Sequence, residues 1–451
     1  MATFSVHGRE VVVVGAARSG VAAAELARRR GAAVTLTEQR PTFEQADRLR
    51  AAGVRLELGG HRTDTLDRAD LIVVSPGVPV DQPLFDGPRS RGVEVIGELE
   101  FASRWLQGRV IAITGTKGKS TTTTLVGRML EAAGRHTLVG GNIGTPVSSQ
   151  VEASTPDTVH VIEVSSFQLE TTRTFHPWIA VWLNLSDDHL DRHASLDEYR
   201  AAKARIFRNQ GEGDWAVVNA DDARVMAAAR ETRATTVTFA LEQALVDGVV
   251  IERDWIVRRT ATATTPLVPV SAVELTGRHM LVNVLAASTA SHLAGVDPAS
   301  MRRALAGFHG LPHVMEPVAD VDGVRFVNDS KATNVDAAAR SIESFEGGVV
   351  AIVGGRYKGG DFGQLAGPLA ARGRGVVAIG EASSRVRESL SGVVPVVEAS
   401  SMADAVRRAW EMARPDGVVL LAPACSSFDW FRDYADRGTA FKQEVLRLTH
   451  A

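Results

Sequence analysis

The sequence holds one cysteine, Cys425, in 451 residues. A lone thiol excludes an intramolecular disulfide and fits a reducing compartment. Charge of one sign is also missing: 50 Lys and Arg against 53 Asp and Glu leave a net charge of −3. No global pull toward nucleic acid or an anionic membrane surface follows from that balance. No apolar run approaches the length needed to span a bilayer. The N-terminus lacks a basic leader, and Glu10 interrupts it before the first apolar run, so it does not read as a signal peptide. Short internal repeats and long low-complexity linkers are absent as well. What remains is an ordinary globular composition, 45% apolar and 23% charged. The expectation is a cytoplasmic protein, monomeric, with no nucleic-acid or membrane partner, and the length suggests about three domains.

The stretch that organises the chain is Ile113-Thr114-Gly115-Thr116-Lys117-Gly118-Lys119-Ser120-Thr121. The apolar run 109–113 reads as a buried strand, and 122–133 carries helical apolar spacing. A loop of small residues between strand and helix offers free backbone N–H groups to phosphates at a helix N-terminus. Lys119 would reach the outer phosphates, and the Ser120 hydroxyl would help hold Mg²⁺. The full phosphate-loop pattern wants a glycine where Ile113 stands, so this is a close variant.

On either side the chain alternates strand and helix, the mark of α/β domains. We expect a Rossmann-like domain over 1–106, a central ATP-binding domain with a mostly parallel sheet over 107–309, and a Rossmann-like domain over 310–451. In the first, strands 10–14, 33–37 and 71–75 alternate with helices 20–30 and 43–52. Its first turn, Gly15-Ala16-Ala17-Arg18-Ser19-Gly20, has Ala17 where a dinucleotide fingerprint has its middle glycine, which argues against plain NAD binding. A phosphate-bearing ligand still suits that helix end. In the second, 138–144 reads as a Gly-rich turn, 159–164 and 179–184 as strands, 198–207 as a helix, and 235–275 as antiparallel strands. In the third, strands 349–353, 376–379 and 418–421 alternate with helices 403–412 and 439–448.

Glu163 and His189 both follow buried strands, at the edge where an open parallel sheet gathers ligands. A carboxylate and an imidazole near a phosphate loop suit a shared divalent ion. The bland alternatives are a paired carboxylate and a surface histidine, and Asp187, Asp188 and Asp191 read equally as a solvated turn. Lys203, taken alone, is an exposed helix lysine. Asn328 to Asn334 is either a ligand-holding cluster or a capped helix start. Lys358, between two Gly-Gly pairs, suits an anion or a flexible loop. Cys425 reads as a small buried filler rather than a nucleophile.

Taken together these motifs resemble the Mur ligase family, and in particular its D-glutamate-adding branch. The likeness is carried by VVVVGAARSG at 11–20, SPGVP at 75–79, TGTKGKST at 114–121, GGNIG at 140–144, EVSSFQLE at 163–170, NLSDDHLDR at 184–192, YRAAKARIF at 199–207, NDSKATN at 328–334 and PACSSFDWF at 423–431. The resemblance implies ATP-dependent addition of D-glutamate to UDP-N-acetylmuramoyl-L-alanine through an acyl phosphate. It implies that Arg18, Ser19, Gln39, Arg40, Asn142, Ser165 and Gln168 meet the UDP-linked substrate. Gly115 to Thr121, Asn283, Asp329 and Lys331 would bind ATP. Ser120, Glu163, His189 and a carbamylated Lys203 would hold Mg²⁺, with Lys119, Glu163, His189 and Lys203 as the catalytic set. Thr333, Lys358, Ser427, Phe428 and Tyr434 would take D-glutamate. Three positions depart from the family pattern: Met280 for an asparagine, Val314 for an arginine and Arg356 for an aspartate. A sister ligase adding another amino acid, and a catalytically weak nucleotide-binding paralogue, are the alternatives.

Overall fold

The computed structural model describes residues 4–186, 192, 193, 195–275, 277–357 and 359–449. It holds three α/β domains, each built on its own sheet, as the alternation of elements required. The first sheet has β1 (Glu10–Val14), β2 (Ala33–Glu38), β3 (Arg55–Leu58), β4 (Leu71–Val74) and β5 (Glu94–Gly97). All are parallel, in the order β3-β2-β1-β4-β5. Strand order therefore reverses beside β1, which puts the turn after β1 in the crevice where such sheets bind ligands.

The second sheet comprises β6 (Arg109–Thr114), β7 (Thr137–Gly141), β8 (Val159–Glu163), β9 (Ile179–Trp182), β10 (Trp215–Asn219), β11 (Thr235–Phe239), β12 (Gly248–Glu252), β13 (Trp255–Arg259) and β14 (Thr264–Pro269). The order is β14-β13-β12-β11-β10-β9-β6-β8-β7. Here too the reversal point lies at the strand, β6, that precedes the phosphate loop. Only β12, β13 and β14 pair antiparallel; β11, expected with them, runs parallel to β10. Helix 223–229 crosses over between β10 and β11, and such a crossover brings the next strand in parallel.

These two sheets form one compact unit, up to Val273 with Leu281–Ala306. Its main core is continuous, joining Val11, Leu26 and Phe101 to Ile162, Trp182 and Tyr199. The central strands are buried on both faces, which is why β1 and β6 read as unbroken apolar runs.

The other unit, Glu274–Met280 with Gly307–Ala451, carries the third sheet. It consists of β15 (Glu316–Val321), β16 (Val324–Asn328), β17 (Val349–Gly354), β18 (Gly373–Ile379), β19 (Val396–Glu398) and β20 (Val418–Leu421), ordered β15-β16-β20-β17-β18-β19. All pairings are parallel except β15 with β16 at the edge. Two cores lie on its two faces, one led by Ile342, Val353 and Leu420, the other by Val350, Leu421 and Phe441. Among the described residues no helix is long and apolar enough to cross a membrane.

Candidate active site

Beyond β6 the chain turns through Gly115, at φ 155°, and Gly118, at φ 81°, before helix Lys119–Ala132 begins. Both conformations favour glycine. A Cβ on Gly118 would sit 2.1 Å from Asn283 Oδ1, so the expected ATP residue Asn283 lies against the loop. Asn184, just beyond β9, pins the turn: its Oδ1 accepts from Thr116 N at 3.0 Å and Lys117 N at 2.8 Å, and its Nδ2 donates to the Lys117 carbonyl at 3.1 Å. Asn184 opens the NLSDDHLDR motif, but nothing in the sequence marks it as the brace of this loop.

Two ammonium groups converge on this loop. Lys119 Nζ donates to the carbonyls of Gly115 at 3.0 Å and Thr116 at 2.9 Å. Lys203 Nζ donates to the same Gly115 carbonyl at 2.9 Å and lies 4.6 Å from the centre of the Tyr199 ring. Read alone, Lys203 was an exposed helix lysine; it is 1% exposed. The reason is the helix it sits on, 196–204, whose inward stripe is Tyr199, Ala202 and Lys203. The Tyr199 hydroxyl reaches Thr116 Oγ1 at 3.3 Å, so this helix also braces the phosphate loop.

Glu163 ends β8 and is 1% exposed. Its Oε1 accepts from Asn142 Nδ2 at 2.7 Å, while its buried Oε2 has no hydrogen-bond partner. A buried carboxylate oxygen without a donor is costly unless a cation completes it, so Glu163 fits a metal ligand. Among the described residues no cluster of three His, Cys, Asp or Glu side chains stands ready for a metal. His189, with Asp187, Asp188 and Asp191, lies outside the described residues. Ser165 and Gln168, expected at the UDP-linked substrate, form a capping box on helix Ser166–Glu170. His193, which sequence reasoning passed over, is buried beside it, with Nε2 3.0 Å from Ser166 Oγ and Nδ1 3.3 Å from Glu170 Oε1.

At the first sheet, Arg18 Nη1 donates to the Gly144 carbonyl at 3.1 Å, joining the turn after β1 to the Gly-rich turn after β7. Ser19 is half-buried; Gln39 and Arg40 are exposed. Glu38, at the end of β2, was not foreseen. Its Oε2 accepts from Ala16 N at 2.7 Å, and Arg40 folds back onto it at 3.1 Å. Burial pushes its carboxyl up, but the Arg40 side chain and the N–H groups of Ala16 and Arg40 outweigh this and hold it at about 2.

In the C-terminal unit the predicted residues that are described follow the carboxyl ends of β16 and β20. Asp329 Oδ1 accepts from Met315 N at 3.2 Å, and its Oδ2 accepts from the Ser341 hydroxyl. Asn334 caps helix Val335–Glu343, as the capped-start reading expected. Ser330 Oγ donates to the Tyr434 carbonyl at 2.7 Å. Lys331 and Thr333 are half-buried, Ser427 is buried, and Phe428 and Tyr434 are exposed. Lys358 lies outside the described residues. Met280, where the family pattern has asparagine, is buried in an apolar core with Met315 and Ile342, which suits a thioether and not an amide. Val314 packs against the same core, and Arg356 lies 3.9 Å from the Glu381 carboxylate. Cys425 is buried, as a filler should be.

Three family descriptions match the chain: Mur ligase MurD-like N-terminal domain over 9–97, Mur ligase middle domain over 113–291, and Mur ligase glutamate ligase domain over 315–425. A UDP-N-acetylmuramoylalanine–D-glutamate ligase of Acidobacterium capsulatum is 46% identical over 444 residues, covering 97% of this chain and 96% of that one. The chain belongs to the Mur ligase family. A Koribacter versatilis protein with the same ligase name is 42% identical, covering 98% of each chain. The fold of this Mur ligase also resembles the solved UDP-N-acetylmuramate-alanine ligase of Thermotoga maritima, with a TM-score of 0.61, 19% identity, and coverage of 97% of this chain and 99% of that one.

Proposed function

We propose that this Mur ligase joins D-glutamate to UDP-N-acetylmuramoyl-L-alanine at the expense of ATP, in cytoplasmic synthesis of a cell-wall precursor. The observation that carries the reading is the phosphate loop: two ammonium groups on one carbonyl, with a buried, half-satisfied carboxylate, Glu163, ending the neighbouring strand. The D-glutamate assignment is supported by relatives at 46% and 42% identity over nearly the whole chain that bear that ligase name.

The chemistry explains why ATP is needed. A free carboxylate is a poor electrophile, so the alanyl carboxylate attacks the γ-phosphorus, forming an acyl phosphate and releasing ADP. The amine of D-glutamate then attacks the acyl carbon, loses a proton, and phosphate departs from the tetrahedral intermediate. Lys119 swings from the Gly115 and Thr116 carbonyls to the phosphoryl oxygens, where positive charge is worth most as negative charge spreads. Asn184 keeps the loop N–H groups in register, and Asn283 keeps the loop backed. Mg²⁺, held by Glu163, Ser120 and His189, would supply further neutralisation of the phosphates. Lys203 would hold the loop as an amine; as the carbamate the family pattern implies, it would add an anion beside the metal ligands. Arg18, Ser19, Gln39, Arg40 and Asn142 would meet the UDP-linked substrate, and Thr333, Lys358, Ser427, Phe428 and Tyr434 the amino acid.

Phosphate release across a panel of amino acids tests this, with ATP, Mg²⁺ and UDP-N-acetylmuramoyl-L-alanine present throughout. Release with D-glutamate and not with L-alanine, L-lysine or diaminopimelate is the expected result. Release with another amino acid in its place would move the protein to a sister ligase. No release with any would leave a nucleotide-binding paralogue.

A further inference from the structure

Beneath the three loops that gather at the carboxyl edge of the C-terminal sheet lies a cation that the mechanism above does not use. Arg437, in the first turn of helix Tyr434–Leu448, is 1% exposed. Its Nε donates to Ser330 Oγ at 3.0 Å and its Nη2 to the Ser330 carbonyl at 2.9 Å, two residues beyond β16. Nη1 and Nη2 both donate to the Cys425 carbonyl at 3.2 Å, four residues beyond β20. A Cβ on Gly355, the residue after β17, would stand 3.2 Å from Nη1. One guanidinium therefore underlies all three strand ends. Every partner is a carbonyl or a hydroxyl; among the described residues no carboxylate pairs with it.

A buried charge satisfied only by dipoles is unusual, because burial without a counter-ion is costly. Desolvation pulls the Arg437 pKa down to about 10, against a weaker upward pull from Cys425 and Asp429, so the group stays charged at neutral pH. Part of its field falls on Asp429 in the loop after β20, and the carboxyl ends of the strands it underlies are where a ligand of such a sheet binds.

We infer that Arg437 is a specificity-determining residue: its buried guanidinium, hydrogen-bonded to carbonyls and a hydroxyl, makes this edge prefer an acidic amino acid over a neutral one of the same shape. Arg437 acts through the field and through the loops it ties, without touching the amino acid. The inference rests on reading the C-terminal sheet as the amino-acid-binding one.

The test compares D-glutamate with D-glutamine, its neutral isostere, as acceptors in the wild type, R437Q and R437K, by the ratio of kcat/KM values, with KM for ATP and the melting temperature alongside. Wild-type enzyme should strongly prefer D-glutamate. R437Q, which removes the charge, should lose about tenfold or more of that preference, mostly in the KM for D-glutamate. R437K keeps the charge and loses the planar fork, so its preference should stay within about threefold of wild type even where stability falls. A merely structural Arg437 would lower melting temperature and weaken both acceptors alike; an unchanged ratio in R437Q would therefore overturn the inference. If R437Q does not fold, R437K decides: loss of preference in the folded, still cationic variant contradicts the charge argument. A wild type with no D-glutamate-dependent turnover would instead overturn the ligase reading itself.

Discussion

Two Gly-rich turns occupy the same place in two sheets, each at the strand where the order reverses, and they are filled with opposite charge. After β1, the Ala16 N–H is already taken by the Glu38 carboxylate, which Arg40 clamps from outside. After β6, the Thr116 and Lys117 N–H groups are held by the neutral amide of Asn184, and Lys119 and Lys203 crowd the Gly115 carbonyl. Topology makes both turns candidate phosphate cradles. The side chain that fills each one decides which can accept a triphosphate. An ionised carboxylate inside the first turn occupies the Ala16 N–H, so the proposed UDP-linked substrate would be met there by the outward residues Arg18, Ser19, Gln39 and Arg40. The second turn is held by the neutral Asn184 amide, and two ammonium groups lie on its Gly115 carbonyl.

Removing charge from each turn breaks this contrast, and the largest effect belongs to the cationic one. Lys119→Ala should cut acceptor-dependent phosphate release by about 10³-fold, since a preorganised group facing transition-state charge is lost. Asn142→Ala, which frees Glu163, should weaken Mg²⁺ activation by about 10–100-fold, read from the metal concentration at half-maximal rate. Asn184→Ala should raise KM for ATP by about tenfold with little change in KM for the UDP-linked substrate, because pinned backbone donors are lost in one loop only. Glu38→Gln should act on stability, costing about 1–3 kcal/mol as a charge-assisted hydrogen-bond set is broken. The sign of its pH dependence is fixed. Glu38 has a folded pKa of about 2 against an ordinary 4.5, so its contribution is full above pH 4.5 and is lost as pH falls through 2. Denaturant melts of the wild type should show that acid-side loss, and Glu38→Gln should show less of it.

Much of the fold was legible because buried parallel strands are continuous apolar runs, and β1, β6, β17 and β20 all announce themselves that way. The strands missed, β3, β5 and β19 among them, are short and carry Arg55, Glu57, Glu94 or Glu398 at exposed edges. The phosphate loop was readable from a strand ending in Gly and Lys. Taken alone Lys203 reads as exposed because it is a lysine, but Tyr199, Lys203 and Ile206 fall on one stripe, and all are buried. Arg437, Phe441 and Val445 form the same kind of stripe, at i, i+4 and i+8. A charged residue in phase with an apolar stripe was the available signal in both cases. Glu38 and Asn184 carried no such signal, since the turns they hold, at Ala16 and at Thr116 and Lys117, are distant in sequence.

The central claim is that this chain makes one amide bond to D-glutamate. Mass measurement of the UDP-linked product, after incubation with ATP, Mg²⁺, UDP-N-acetylmuramoyl-L-alanine and D-glutamate, tests it most directly. The expected result is a product heavier by one glutamate less one water, formed in equal amount with ADP and phosphate and absent without ATP. ATP consumed with the UDP-linked substrate left at its starting mass would contradict the account.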